Sequence, residues 1–379
     1  MRRPILLGLI LGSICAAVIL GLAGGGPRAG QMHKAGPVLS DCDGTIRELV
    51  IHYLSAAKDI AAPVYRDFLR QLPAEVTVHV VCPAREDYDA LVAAVGPVRC
   101  AFHPLIVSHD MTVWSRDRWL AMGPADGNVV TLVPPRGEEG VESWLARAGD
   151  QRTAVDIASA LRDVAADRSG LYFDGGDFVA DANTAFVSPR LLQRNVGITV
   201  RTRQELLETL GQRLKRRILL FDQAPDHHVG MYMMPAGGGV VLVGDPSAGR
   251  GLLSAEEAQR GPGPPLGLPP GPDFSDATQR QFDAVARQCA LEGYRVVRIP
   301  VLPGKDGRTY ITYVNVIIDC RDGRRTVYMP AYEGAEALNA CAVRVWQSLG
   351  YEVCRIDCSS VYRHFGVLHC LVNVLRRSS

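Results

Sequence analysis

Residues 365–375 read Phe-Gly-Val-Leu-His-Cys-Leu-Val-Asn-Val-Leu, and this apolar run near the C-terminus predicts a strand. It carries Cys370 directly after His369. A cysteine in such a run is most often a small buried hydrophobic residue. The other interpretation is a nucleophile, which acts as a thiolate and needs a general base and groups that hold its electrophile. If Cys370 is reactive, those partners must lie upstream in the chain.

The N-terminus predicts an export signal. Arg2 and Arg3 precede an uncharged apolar run over residues 5–23, which just reaches the ~18 to 20 residues that span a bilayer. We expect residues 1–23 to be a signal anchor, with cleavage at its end as the alternative, and residues 24–40 to be a flexible linker. Arginines before the span would stay inside. The rest of the chain would therefore be extracytoplasmic, and held at the membrane if the anchor is uncleaved.

Composition favours one large α/β domain over residues 41–379. Hydrophobic residues make up 47% of the sequence, which is enough for a substantial core, and the formal net charge is +1 without a basic block. A nucleic-acid partner is therefore not expected. The ten cysteines are scattered without a CxxC pair of zinc spacing, so no metal site is predicted. Export would permit disulfides among them, but the spacing does not fix a pairing.

Apolar periodicity along the chain alternates between strand and helix, which predicts an α/β fold. Helices at 278–291 and 335–349 each run into a Gly-Tyr pair followed by an apolar strand, which indicates a repeated unit. Residues 321–323 predict a hairpin, and the Gly- and Pro-rich residues 248–273 predict an exposed loop. Further strands are predicted at 49–53, 76–82, 129–133, 218–221, 310–319 and 326–329, and further helices at 64–72, 87–95, 154–165 and 204–215.

Three segments break this periodicity and carry polar groups. Residues 108–119 mix polar and aromatic side chains without a helical or strand period. Residues 174–177 read Asp-Gly-Gly-Asp, which suits a turn that points carboxylates inward, although an ordinary hairpin turn has the same pattern. Residues 226–234 contain a histidine pair that could equally be a packing feature. If this segment is extended, His228 and Gly230 share one face.

Taken in order, four motifs resemble the guanidino-group modifying superfamily, and most closely its agmatine deiminase and bacterial peptidylarginine deiminase branch. The likeness covers nearly the whole chain after the linker, including the strand Tyr313-Val314-Asn315. It implies a five-bladed α/β propeller of ββαβ units around a central pocket, acting without a metal or organic cofactor on a small-molecule or peptide guanidino substrate. The motifs are Trp114-Ser115-Arg116-Asp117, Asp174-Gly175-Gly176-Asp177, His228-Val229-Gly230 and Leu368-His369-Cys370.

The resemblance implies a hydrolytic role for each motif. A guanidinium resists attack, so it needs carboxylates for its N–H groups, a soft nucleophile and an acid for the departing ammonia. Cys370 would attack the guanidinium carbon to give a covalent thiouronium, and His228 would protonate ammonia and then activate water. Asp117 would hold the guanidinium. Asp174 stands where the family usually has a glutamate that orients substrate and histidine.

Two further residues are candidates for contacts with the substrate. Trp114 would line the pocket, although a bulky aromatic residue can also be part of the core. Asp177 would shape the turn or contact the substrate. His369 is expected to be adjacent to the chemistry rather than part of it.

Three departures from the branch's pattern affect the interpretation. Gly230 replaces an aspartate that also grips the guanidinium, Gly366 is all that remains of a glycine-rich run, and Asp174 is shorter than the usual glutamate. The glycine at 230 predicts a weaker hold on unsubstituted guanidines and open space for an N-substituent. Amidinotransfer to an amine and binding without turnover are the alternative functions. Gly230 favours the second of these, whereas the retained catalytic groups oppose it.

Overall fold

The structure is a computed structural model that describes residues 34–125, 127–137, 149–261 and 271–378. The predicted anchor at residues 1–23 lies outside the described residues, as does most of the predicted linker. No helix within the described ranges is long and apolar enough to cross a membrane.

Strands and helices alternate along the described residues. The strands are β1 (Ala35–Val38), β2 (Thr45–His52), β3 (Thr77–Cys82), β4 (Ala101–Ile106), β5 (Leu120–Pro124), β6 (Val130–Val133), β7 (Val164–Ala166), β8 (Phe178–Ala180), β9 (Thr184–Val187), β10 (Arg217–Leu220), β11 (Met233–Pro235), β12 (Val240–Asp245), β13 (Arg295–Pro303), β14 (Tyr310–Thr312), β15 (Ile317–Arg321), β16 (Arg324–Ala331), β17 (Glu352–Asp357) and β18 (Val372–Ser378). The helices are α1 (Lys58–Gln71), α2 (Arg85–Val95), α3 (Thr153–Ala160), α4 (Arg190–Asn195), α5 (Arg203–Leu214), α6 (Pro246–Arg250), α7 (Glu257–Arg260), α8 (Asp276–Leu291), α9 (Glu336–Ser348) and α10 (Leu368–Leu371).

Five sheets share one unit, in which an antiparallel strand pair leads through a helical crossover to a third strand parallel to the second. A parallel neighbour requires such a crossover, which explains the helices at this position. The mixed α/β fold is therefore confirmed, and the two Gly-Tyr joints predicted to be equivalent do occupy the same place in their units, before β13 and β17. The units are β5-β6-β7, β8-β9-β10, β11-β12-β13, β15-β16-β17 and β18-β2-β3.

Helix α1 connects the core to the candidate nucleophile. Its buried residues recur at helical spacing along one face. Among them, Tyr65 is fully buried, and its hydroxyl lies 2.9 Å from the carbonyl oxygen of His52 and 3.1 Å from that of Leu371. The end of β2 and the segment that carries Cys370 are thus held together by one side chain.

The prediction that residues 365–375 form a strand is wrong for their first part. Residues Leu368–Leu371 form the helical turn α10, and strand β18 begins at Val372. The backbone of α10 bonds to irregular segments instead of a neighbouring strand: the N–H of Arg116 donates to the carbonyl oxygen of Cys370 (3.3 Å), and Oγ of Ser115 donates to that of Leu371 (2.7 Å).

Other predicted boundaries need correction where tertiary pairing decides the outcome. The helix predicted at 154–165 ends at Ala160, because residues 164–166 pair with β6 as the parallel strand β7. Part of the predicted linker is folded, since Ala35–Val38 pair with β5. The predicted strand at 310–319 is divided between two sheets, and the predicted loop at 248–273 contains α7. The hairpin at 321–323 is confirmed, with Asp322 and Gly323 at φ 50° and 77°.

Candidate active site

One cleft of about 850 Å³ gathers most of the residues predicted to do chemistry. We call the less exposed charged and nucleophilic lining residues the floor: Cys370, His228, Asp117 and Asp174. Trp114 lines the cleft as well. We call the more exposed lining residues the mouth: Arg190, Asp226, Arg308, His364 and Phe365. The remaining lining residues are mainly apolar: Leu54, Ala57, Ile60, Met111, Thr112, Val113 and His227.

Cys370 is held at the floor by the side-chain amide of Asn315. The thiol residue is only 4% exposed, and Nδ2 of Asn315 lies 3.6 Å from its Sγ. The amide orientation follows from its other partners. Its Oδ1 accepts the N–H of His369 (2.8 Å), and its Nδ2 donates to the carbonyl oxygen of Gly230 (3.1 Å). Asn315 therefore presents N–H groups to the sulfur, which suits a thiolate.

His228 lies between the two floor carboxylates. Its Nδ1 is 3.8 Å from Oδ1 of Asp117, and its Nε2 is 3.6 Å from Oδ2 of Asp174. Burial lowers the pKa of His228, but the charges of Asp117 and the hydrogen bonds of Asp174 and Cys370 outweigh burial and raise this pKa well above its ordinary value. His228 is therefore an imidazolium at neutral pH. Gly176 makes room for the ring, since a Cβ there would lie 2.5 Å from Nδ1 of His228.

The neighbouring histidine has the opposite protonation state. Burial first, and then the positive charges of His228 and Arg190, lower the pKa of His227 to about 3. Its Nδ1 accepts the backbone N–H of His228 (2.8 Å), so its proton lies on Nε2, which donates to the carbonyl oxygen of Arg308 (3.0 Å). His227 is thus a neutral ring that fixes the backbone of His228.

Asp174 is neutralised by two arginines that the sequence did not single out. Its Oδ1 lies 3.6 Å from Nη1 of Arg118, and its Oδ2 lies 3.1 Å from Nη1 of Arg194. Its backbone N–H donates to Oδ2 of Asp177 (2.9 Å), which closes the short 3-10 turn Gly175–Asp177. This turn, rather than an ordinary hairpin, aims Asp174 into the cleft.

Asp177 itself does not line the cleft. It is fully buried, 3.5 Å from Nη1 of Arg194 and 3.8 Å from Nη1 of Arg190. Burial, and then the charge of Asp174, raises the pKa of Asp177. Of the two roles expected for this residue, the contacts favour shaping the turn over touching a substrate.

Trp114 lines the cleft and packs against the segment before Cys370. A Cβ at Gly366 would lie 2.5 Å from a carbon of the Trp114 ring, so this glycine is needed for the close approach. The preceding residue, Phe365, has φ 67°, a left-handed conformation that is unusual for a residue with a side chain.

Gly230 does not leave open space, and the expectation of room for an N-substituent there is wrong. A Cβ at Gly230 would lie 3.1 Å from Nδ1 of His369 and 3.3 Å from Nδ2 of Asn315. Gly230 is also absent from the cleft lining, since it lies in the 3-10 turn Val229–Met231 rather than in an extended strand. The His369 ring fills this region and is fixed by Asp41, with Nε2 3.2 Å from Oδ1.

Asp41 supports the floor from behind. Burial raises the pKa of this carboxyl, but Arg116 and His369 outweigh burial and lower the pKa to about 2. Oδ1 of Asp41 lies 3.4 Å from Nη2 of Arg116, the residue whose backbone N–H holds Cys370. The ring of His369 is therefore part of a buried group of charges with Asp41 and Arg116.

Sequence reasoning missed several residues that shape the site. Arg118 directly follows the first motif, and Asn315 belongs to the strand quoted for the resemblance, so both could have been considered. Arg194 and Asp41 gave no signal, because their partners become neighbours only in the fold. Of the residues that the structure describes, no group of three or more His, Cys, Asp or Glu could hold a metal ion, and the nine cysteines there are free thiols.

Solved structures share this fold over almost the whole chain. An agmatine deiminase from C. jejuni matches with a TM-score of 0.65 and 13% identity, covering 92% of this chain and 98% of that one. An agmatine deiminase of Enterococcus faecalis matches with a TM-score of 0.64 and 13% identity, covering 89% and 95%. No protein-family profile and no curated protein sequence matches the chain. At this identity the likeness establishes the fold alone, and this is the fold of the deiminases that the four motifs resemble.

Proposed function

We propose that this protein is a cysteine hydrolase that converts a guanidino group into a ureido group with release of ammonia. The observation that supports the proposal is the convergence of Cys370, His228, Asp117 and Asp174 on one cleft. The four side chains come from distant parts of the sequence and together form a soft nucleophile, a charged acid and two carboxylates. The fold shared with agmatine deiminases agrees with this chemistry.

The first half of the reaction uses His228 as an acid. The Cys370 thiolate attacks the guanidinium carbon and forms a C–S bond. As the tetrahedral carbon collapses, the C–N bond breaks, and the imidazolium of His228 gives its proton to the departing nitrogen, which leaves as ammonia. The raised pKa of His228 keeps this proton available at neutral pH.

The second half uses the same ring as a base. Neutral His228 takes a proton from water, and the resulting hydroxide attacks the thiouronium carbon. The C–S bond then breaks, which restores the Cys370 thiolate, and the new hydroxyl group loses its proton to solvent as the neutral ureido product forms. Asn315, 3.6 Å from Sγ, can donate to the sulfur whenever it carries negative charge.

The two carboxylates have different proposed roles. Asp174 already carries the ion pairs with Arg118 and Arg194, so its main role is to hold Nε2 of His228. Asp117 is the carboxylate assigned to the N–H groups of the substrate guanidinium. Such charge-assisted hydrogen bonds contribute about 1.5 to 3 kcal/mol each, enough to hold the cation in line with Cys370.

Two broader expectations are part of the same proposal. We expect the five repeated units to form a five-bladed propeller around the cleft, with residues 41–379 as the deiminase-like domain. We also expect export, with an anchor at residues 5–23. Cell fractionation tests the second expectation, and full-length protein recovered soluble from the cytoplasm would contradict it.

The function is tested by measuring ammonia and ureido product from agmatine, arginine, methylated arginine and an arginine-ended peptide. Stoichiometric ammonia and ureido product from at least one of them are expected, and Cys370→Ser should abolish both. Consumption of substrate only when an amine acceptor is present, without ammonia, would indicate an amidinotransferase. Binding without any turnover would indicate a guanidino-compound binding protein.

A further inference from the structure

The mouth of the cleft carries an arginine that the fold holds through an aromatic ring. Arg308 is exposed and lines the cleft. Within the described ranges no carboxylate forms an ion pair with its guanidinium, whereas the arginines around Asp174 are paired. The positive charge of Arg308 is therefore available to a ligand.

The position of this guanidinium is set by Phe365. Cζ of Arg308 lies 4.1 Å from the centroid of the Phe365 ring, a close cation–π contact. Phe365 keeps its ring at the mouth at the cost of a left-handed backbone, φ 67° and ψ 22°. Such conformations are strained and occur frequently at ligand sites.

The loop that carries Arg308 is braced from both sides. Residues 304–309 connect β13 and β14, and the carboxylate of Asp306 accepts the N–H groups of Arg308 (2.9 Å) and Thr309 (2.8 Å). On the other side, Nε2 of His227 donates to the carbonyl oxygen of Arg308 (3.0 Å). His227 also accepts the backbone N–H of His228. One histidine ring therefore fixes the position of Arg308 relative to His228 at the floor.

The other arginine of the mouth is paired. Arg190 lies 3.6 Å from Oδ1 of Asp226 through its Nε and 3.8 Å from Oδ1 of the buried Asp177 through its Nη1. The cation that the mouth offers to a ligand is therefore that of Arg308, while the floor presents Asp117 and Asp174. A molecule that spans the cleft meets carboxylates at one end and a cation at the other.

We propose that the mouth binds a carboxylate at the end of the substrate opposite its guanidinium, and that Arg308 is the residue that contacts it. The inference rests on the proposed function and adds the substrate class: a guanidino acid rather than a guanidino amine. Free arginine and a peptide ending in arginine both carry such a carboxylate. Agmatine would instead bring an ammonium group to Arg308, which repels it.

The test compares Arg308→Gln, Arg308→Lys and the unmodified protein on arginine, arginine amide, agmatine and a peptide ending in arginine. Arg308→Gln should lower kcat/KM for the carboxylate-bearing compounds about 10- to 100-fold, since a charge-assisted hydrogen bond is lost, and should leave it unchanged or raise it for agmatine and arginine amide, since a like charge is removed. Arg308→Lys should retain part of the activity. Which carboxylate-bearing compound loses more distinguishes free arginine from a peptide C-terminus.

Arg363→Gln is the matched control, because Arg363 stacks on the adjacent Tyr362 at 5.6 Å but does not line the cleft. This variant should behave like the unmodified protein. Equal losses for all four compounds in Arg308→Gln, or the same selective loss in Arg363→Gln, would overturn the inference.

Binding measurements separate this inference from the proposed function. Calorimetry with Cys370→Ser protein and the same four compounds reports on the mouth without turnover. Arginine binding that depends on Arg308, without ammonia from any compound, would uphold the carboxylate site and refute the hydrolase. Ammonia release that does not depend on Arg308 would uphold the hydrolase and refute the carboxylate site. Failure to bind any guanidino compound would overturn the hydrolase and the carboxylate site together.

Discussion

The floor and the mouth of the cleft are built in opposite ways. At the floor, His228 lies between two carboxylates and Asp174 between two arginines, and the buried thiol of Cys370 lines the same cleft. At the mouth, Arg308 is exposed and stacks on an exposed ring. Chemistry benefits from charges that are fixed before the reaction starts, because they need no reorganisation in the transition state. Recognition of a distant group can instead use a braced surface loop.

This difference has a practical consequence. Substitutions at the floor should affect every guanidino substrate in the same way, since the groups there meet the guanidinium itself. Substitutions at the mouth should change only the choice among substrates. The following experiments test the floor side of this contrast.

The largest effect is expected for Cys370→Ser. Turnover should fall by about 10³-fold or more on every substrate, because an alcohol is a much poorer nucleophile without a dedicated base. The fold should remain nearly intact. In the unmodified protein a haloacetamidine should alkylate Cys370, as read by mass spectrometry, and Cys341→Ser is the control for a thiol away from the cleft. Labelling confined to another cysteine would refute the assignment.

Asn315→Ala should give the next largest effect. The amide contacts the sulfur and fixes the backbone of His369 and Gly230, so we expect turnover to fall about 10- to 100-fold on all substrates. Asn339 offers a matched control, because it is a buried asparagine whose partners are tyrosines. Both variants should lower the melting temperature, but only Asn315→Ala should slow alkylation of Cys370. Equal alkylation rates in the two variants would show that Asn315 is merely structural.

Gly230→Asp should destabilise the protein instead of improving it. The new side chain would meet the His369 ring and the Asn315 amide, and overpacking of this kind costs about 1 to 3 kcal/mol. A buried carboxylate without a dedicated partner adds to that cost. Urea unfolding would measure the loss, with Gly170→Asp as the control, because Gly170 is exposed, has no positive φ, and a Cβ there meets nothing within 4 Å. Improved agmatine turnover at unchanged stability would contradict the packing seen here.

The floor was more predictable from sequence than the contacts that support it. His228, Asp117 and Asp174 stand in segments where helical and strand periodicity stops, and Cys370 directly follows a histidine in an apolar run. Both signals are visible locally. The supports of these residues are long-range: the His369–Asp41 pair joins residues 328 positions apart, and no local pattern marks it.

The fold shows the same limit. The alternation of strands and helices was readable from apolar periodicity, whereas residues 164–166 and Leu368–Leu371 took the structure that their tertiary partners imposed. Pairing with a parallel strand overrides the local helical propensity at residues 164–166. Hydrogen bonds to side-chain and backbone groups of other segments override the local strand propensity at Leu368–Leu371. The mouth was missed entirely, because Arg308 and Phe365 stand in no motif.

The smallest expected effect is on the pKa values of the two adjacent histidines, which NMR measures in the intact protein. His228 should titrate above the ordinary histidine pKa, and His227 should stay neutral down to about pH 3. Asp117→Asn should lower the pKa of His228 more than Asp174→Asn, because the charge of Asp117 is the strongest influence that raises it. Titration of His228 at or below about 6.5 in the unmodified protein would contradict its proposed role as an acid.

The same pair predicts opposite slopes of stability against pH. The folded state raises the pKa of His228, so the stability that this residue contributes is fully present below about pH 6.5 and is lost as the pH rises through its folded pKa. The folded state lowers the pKa of His227, so its contribution is present above about pH 6.5 and is lost as the pH falls toward 3. Urea unfolding should show a weaker alkaline decline in His228→Gln and a weaker acid decline in His227→Gln. Identical pH profiles for the two variants would mean that the environments of the two rings do not differ in solution.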